Sequence, residues 1–103
     1  MRRAANLDGN HTHIAEALRR IGASVQSLAP MGGGVPDLLV GYHGRNCLLE
    51  VKDPEKPPSH RRLTAAEQGW HNTWGGQVAV VETEEQAQLV VIAHCMDVKC
   101  QSE

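Results

Sequence analysis

Phenylalanine is absent from this 103-residue chain, and its aromatic residues are two tryptophans and one tyrosine. A core must therefore be built mainly from Leu, Val, Ile and Ala side chains. The chain also lacks an apolar run of the ~20 residues that span a bilayer, and its first residues, Met-Arg-Arg-Ala-Ala, do not resemble a signal peptide. We expect one small soluble domain that makes no membrane contact.

Cysteine is scarce and the charge is nearly balanced. Three cysteines make an odd number without zinc-finger spacing, and they fit free thiols in a reducing cytoplasm. The net charge of −2 argues against a general nucleic-acid binder. However, residues 1–62 carry nine Lys and Arg against six Asp and Glu, whereas residues 63–103 carry one against six. This basic excess suits a phosphate-bearing partner, although an unevenly charged solvated surface explains it equally well.

Hydrophobic periodicity and turn residues predict a mixed α/β fold in the order αβββαβα. Asn10 is the expected N-cap of the first helix, and Thr64 and Thr83 begin capping boxes that start the other two. The predicted elements are a helix over 10–21, strands over 23–28, 38–40 and 47–49, a helix over 64–74, a strand over 77–81 and a helix over 83–93. Residues 1–9 are expected to form a flexible arm, 10–93 one domain and 94–103 a tail.

The predicted hairpin places three charged side chains on one face. Apolar runs flank His43-Gly44, and if these two residues form the turn, Asp37 faces Glu50 across the strands. Opposed side chains point to the same face, and Lys52 joins them because a strand has a period of two residues.

Two ionised carboxylates this close repel each other unless one is protonated or a divalent cation lies between them. Oxygen ligands suit Mg²⁺ or Mn²⁺, and the backbone carbonyl of Val51 could be a further ligand. Lys52 could orient a water molecule or stabilise charge on a phosphate. A Glu-x-Lys pattern alone is common on surfaces; the preceding Pro36-Asp37 in a glycine-rich loop favours a catalytic site.

Gly-Gly-Gly-Val-Pro-Asp at 32–37, followed by Leu-Leu-Glu-Val-Lys at 48–52, resembles the Pro-Asp…Glu-x-Lys nucleases. With the stretch from Lys56 to His71, the chain resembles the stand-alone phage and bacterial form of the VRR-NUC family over about residues 7–93. The resemblance implies a restriction-endonuclease-like sheet flanked by helices. It also implies Mg²⁺- or Mn²⁺-dependent phosphodiester hydrolysis by Asp37, Glu50 and Lys52, and a homodimer that cuts branched DNA such as four-way junctions in a bacterial cytoplasm.

The sequence departs from the family pattern at two places. Many members have a glutamate early in the first helix, where this chain has Asn10-His11, so His11 or Glu16 could serve instead. Relatives often have a glutamine at the position of Glu67, whereas Gln68 is displaced by one residue. Either side chain could point at the site.

Four basic side chains near the hairpin and the loop after it are candidate phosphate ligands: Arg45, Lys56, Arg61 and Arg62. Such contacts position DNA without reading its sequence. Trp70 and Trp74, spaced i, i+4 on a helix, are expected in the core or a dimer interface rather than stacked on bases. The alternative functions are a sequence-specific restriction-type nuclease, for which 103 residues leave little room, and a catalytically weak branched-DNA-binding protein.

Overall fold

A computed structural model describes residues 9–96 and confirms the predicted α/β fold and its order αβββαβα. Two short 3₁₀ turns, Ala29–Met31 and Pro58–His60, lie in the connecting loops. The helices and strands are α1 (Gly9–Arg20), β1 (Ser24–Ser27), β2 (Leu38–Tyr42), β3 (Arg45–Val51), α2 (Ala65–Thr73), β4 (Ala79–Val81) and α3 (Glu84–Met96).

The four strands form one mixed sheet in the order β1-β2-β3-β4, antiparallel except for the parallel pair β3 and β4. The β2–β3 turn has positive φ at both His43 (51°) and Gly44 (78°), as a type I′ turn requires. This turn sets the predicted register, in which Tyr42 pairs with Arg45 and Leu38 pairs with Leu49.

One face of the sheet is covered by α1 and α3. Strand side chains alternate between the faces, so every second residue of β2 and β3 enters the core. The covered face is called the inner face here, and the other the outer face. The core consists of Ile14, Leu18, Ala23, Leu38, Val40, Cys47, Leu49, Val51, Val81, Ala87, Val91 and Cys95.

Asn10 does not cap α1 as predicted, because the helix already includes Gly9. Its side-chain Nδ2 instead donates to the backbone carbonyls of Lys52 (2.7 Å) and Glu82 (3.0 Å). Asn10 was expected to accept a hydrogen bond from a backbone N–H of its own helix, but its side chain instead joins α1 to the ends of β3 and β4.

The last helix is longer than predicted. It continues past Ala93 to Met96, because Cys95 on its inward side is buried against the sheet. Residues 1–8 and 97–103, which include most of the predicted arm and tail, lie outside the described residues. Among residues 9–96, no helix combines the length and apolar character needed to cross a bilayer.

Strand β4 is shorter than predicted, because Gln77 pairs with β3 through its side chain. The Gln77 amide accepts from the Leu48 backbone N–H (2.6 Å) and donates to the Leu48 carbonyl (3.2 Å). The Gln77 side chain thus provides the hydrogen-bond partners for the Leu48 backbone, where pairing with the backbone of β4 was expected.

Helix α2 has the predicted capping box between Thr64 and Glu67 but no buried residue. Trp70 and Trp74 therefore do not lie in the core, the first of the two places expected for them; a dimer interface, the second, stays a prediction. The two indoles stack on each other at the surface, with ring centroids 4.5 Å apart and an interplanar angle of 21°, and Trp74 is 45% exposed.

Gly34 sets the approach of the glycine-rich loop to α2. Its φ is +87°, and a Cβ there would overlap the backbone carbonyl of Ala66. We expect Gly34→Ala to lower the free energy of unfolding by about 2–3 kcal/mol, measured by urea denaturation, since backbone strain and overlap act together.

Gly33→Ala is the matched control, because Gly33 has a similar φ of +68° but open space around it. This substitution should lower the free energy of unfolding by only about 1 kcal/mol, which is the strain of a left-handed backbone at alanine. Equal losses in the two variants would show that the loop does not pack against α2 as described.

Candidate active site

Asp37 and Glu50 meet on the outer face, at the end of the sheet far from the hairpin turn. Asp37 immediately precedes β2, and the extended register places it opposite Glu50. Its Oδ2 accepts a 2.7 Å hydrogen bond from the Val51 backbone N–H, which anchors the carboxylate to β3. Lys52 follows β3, and its own backbone N–H donates to the carbonyl of Val81 (2.9 Å).

The Glu50 carboxyl is buried, and its Oε1 has no hydrogen-bond partner among residues 9–96. The pKa of Glu50 is raised to about 9, first by burial and then by the nearby carboxyls of Asp37 and Glu67. Each of these influences opposes a negative charge on Glu50. In the absence of a cation, the site therefore favours a protonated Glu50 at neutral pH.

Lys52 lies between two carboxylates. Its Nζ is 2.7 Å from Glu67 Oε1 and 3.8 Å from Glu50 Oε2. Burial alone would raise the pKa of Glu67, but hydrogen bonds from Lys52 and from the Thr64 backbone outweigh it and lower the pKa. Glu67 Oε1 accepts both of these bonds, so the capping box of α2 also fixes the Lys52 ammonium.

The other accessory candidates lie in different surroundings. Gln68 is exposed, and its side chain donates to Asn72 (2.9 Å). Glu16 is exposed on α1. His11 is buried and lines a cavity of about 170 Å³ beside Ser27 and Leu38.

The four candidate phosphate ligands separate into two groups. Arg45 lies at the hairpin turn, five residues from Glu50 along β3, which corresponds to roughly 16 Å. The expectation that it lies near the carboxylates is therefore wrong. Arg61 lies closer to the site. Its Nη1 is 3.8 Å from Oε1 of Glu82, whose backbone carbonyl accepts a hydrogen bond from Asn10. Lys56 and Arg62 are exposed in the loop after β3.

Two features of the site escaped the sequence prediction. Asn10 holds the backbone of Lys52, and Glu67 holds its ammonium group. Glu67 was an accessory candidate, but its role in the capping box gave no indication of an ion pair. Nothing in the sequence indicated the Asn10 contact, which spans 42 residues.

The donor set fits a hard divalent cation. Asp37 and Glu50 supply carboxylate oxygens, and the unpartnered Glu50 Oε1 would gain a favourable contact from a cation. Within residues 9–96, no three or more His, Cys, Asp or Glu side chains are arranged to hold a metal ion. A cation bound here would therefore keep positions for water and phosphate oxygens, as Mg²⁺ commonly does.

No protein-family model matches the chain, and no curated protein does. A solved structure described as "VRR_NUC domain" is similar to it, with a TM-score of 0.50 and 30% sequence identity. The similarity covers 81% of this chain and 89% of that structure. This similarity shows that the chain belongs to the VRR-NUC family of nuclease domains, as the motifs at 32–37 and 48–52 predicted.

Proposed function

We propose that the protein is a divalent-metal-dependent endonuclease that hydrolyses DNA phosphodiester bonds, with Asp37, Glu50 and Lys52 as its catalytic residues. The observation that supports this most strongly is the convergence of two carboxyls and one ammonium on the outer face. A solvated surface pair would not bury Glu50 or fix Lys52 from two sides.

Asp37 and Glu50 would hold Mg²⁺ or Mn²⁺, and the Val51 carbonyl is the proposed third protein ligand. When bound, such an ion neutralises phosphate charge and lowers the pKa of water. Asp37 is suited to this role because the Val51 N–H fixes its Oδ2 and leaves Oδ1 for a ligand. Glu50 must lose its proton to bind the ion, so ion binding and proton release are coupled.

Lys52 would contact a phosphate oxygen and stabilise the charge that develops during hydrolysis. The Glu67 contact restricts its long side chain to one position, so little ordering remains when the substrate binds. Glu67 is thus a positioning residue, and Asn10 has the same role for the Lys52 backbone.

We further propose that the substrate is branched DNA, such as a four-way junction, and that two copies act as a homodimer. Residues 9–96 of one chain carry one site of this kind, and symmetric cutting of two strands requires two related sites. Lys56, Arg61 and Arg62 would contact phosphates beside the site, which positions a backbone without reading bases. The family resemblance supports both proposals.

Lys52→Ala should slow cleavage of a labelled four-way junction by at least ~100-fold, because the charge on the phosphate loses its stabilisation. The assay compares the junction with linear duplex in Mg²⁺, Mn²⁺ or EDTA. Lys56→Ala is the comparison variant, because Lys56 is exposed and is a proposed phosphate contact rather than a catalytic residue. It should weaken binding and reduce the salt dependence, but leave the rate at saturating DNA near that of the wild type.

Paired symmetric cuts that require metal are the expected result, and a single cut per junction would contradict the homodimer. Metal-dependent cutting of linear duplex at a fixed sequence would favour a restriction-type nuclease. Junction binding without cleavage would instead favour a binding protein.

Without metal, the free energy of unfolding should fall as the pH rises from about 4.5 to about 9. The pKa of Glu50 is about 9 in the folded chain, against its ordinary value of 4.5, so the folded state holds the extra proton between these pH values. Its stabilising contribution is complete below 4.5 and is lost as the pH approaches 9.

Glu50→Gln should remove this slope and, in EDTA at pH 8, should stabilise the chain by on the order of 1 kcal/mol or more. Glu85→Gln, at an exposed position on α3, is the matched control and should leave the slope unchanged. The free energy of unfolding of both variants is measured by urea denaturation at several pH values. An unchanged slope in Glu50→Gln would refute the assignment of the proton to Glu50.

A further inference from the structure

A shallow apolar groove lies on the outer face, beside the carboxylates. Its volume is about 290 Å³, near the lower end of the ~300–1,000 Å³ typical of small-ligand pockets. Leu39 is 37% exposed and Trp74 is 45% exposed, so the groove presents apolar surface to solvent. The groove is lined by Leu39, Asn46, Cys47, Leu48, Trp74 and Gln77.

The Trp74 ring is fixed although it is exposed. Its Nε1 donates to the Gln77 carbonyl (3.2 Å), and Trp70 stacks behind it. The Gln77 side chain is itself bound to the Leu48 backbone through two hydrogen bonds. An aromatic face held in this way can stack on a ligand with little loss of conformational entropy.

The groove lies next to the proposed catalytic site. Leu39 follows Asp37 by two residues, and Leu48 precedes Glu50 by two residues, so all four lie on the same face. Two residues along a strand correspond to roughly 7 Å. A nucleotide whose phosphate lies at the carboxylates would therefore place its neighbour's base within reach of the groove.

We propose that this groove binds an unpaired nucleobase next to the cleaved phosphate, with Trp74 as the stacking surface; the proposal rests on the nuclease function above. Every lining residue is uncharged, which suits a neutral, flat and partly apolar base. The exposed amide of Asn46 adds a donor and an acceptor for a base edge.

The chain's intrinsic fluorescence provides a direct test, because Trp70 and Trp74 are its only tryptophans. Titration in EDTA with a single-stranded oligonucleotide should quench the fluorescence. An abasic oligonucleotide of the same length keeps the phosphates but lacks the bases, and should quench little and bind roughly 10-fold more weakly. Equal quenching and equal affinity for the two would overturn the proposal.

Leu39→Thr removes one wall of the groove at a position where a strand tolerates a β-branched residue. It should bind the normal oligonucleotide roughly 10-fold more weakly while thermal unfolding, followed by circular dichroism, stays near that of the wild type. Leu89→Thr makes the same change at an exposed position on α3 and should bind normally. Normal binding by Leu39→Thr would overturn the proposal. Tryptophan fluorescence that changes with protein concentration but not with added DNA would also overturn it, because the groove would then contact a second copy of the chain.

The two proposals fail separately. If Lys52→Ala abolishes junction cleavage but abasic DNA binds as tightly as normal DNA, the nuclease function stands and the base site is refuted. If base-dependent quenching occurs but no DNA is cleaved in Mg²⁺ or Mn²⁺, the base site stands and the nuclease function is refuted.

Discussion

The Asp37 and Glu50 carboxyls lie close together on the outer face of the sheet, where Glu50 is buried from water. Both cannot be ionised there without a compensating charge. The Lys52 ammonium is the nearest cation, but its shortest contact is with Glu67 rather than Glu50. The pair therefore retains an unmet requirement for positive charge, which either a proton or a divalent cation can satisfy.

The fold maintains this unfavourable arrangement through local interactions. The type I′ turn at His43-Gly44 fixes the register that sets Asp37 opposite Glu50. The Val51 N–H then holds Asp37, and Asn10 joins α1 to the ends of both strands next to Lys52. Because α1 and α3 provide the buried core on the inner face, the outer face can carry charges and an open groove.

The sequence was sufficient for features that depend on local rules. Strand alternation and a two-residue turn determine the hairpin register, and this register brings Asp37, Glu50 and Lys52 together. The capping box at Thr64–Glu67 follows from short-range hydrogen bonds. The motifs at 32–37 and 48–52 also predicted the family correctly.

Long-range contacts could not be predicted in the same way. Asn10 bonds to carbonyls 42 and 72 residues away, and Gln77 replaces backbone pairing with its side chain. Helical spacing placed Trp70 and Trp74 on one side of α2 but could not show that this side remains open to solvent. Arg45 was placed with the phosphate ligands because it lies in the hairpin, but the turn is at the opposite end from the carboxylates.

The most direct test of the central claim is calorimetric titration of Mn²⁺ into the wild-type protein at pH 7.5, in two buffers of different ionisation enthalpy. If the carboxyl pair exchanges a proton for a cation, binding should release close to one proton per ion, because the pKa of Glu50 is about 9 before the ion binds. Glu50→Gln should bind Mn²⁺ at least ~10-fold more weakly and release no proton. Binding without proton release, or equally tight binding by Glu50→Gln, would contradict the account.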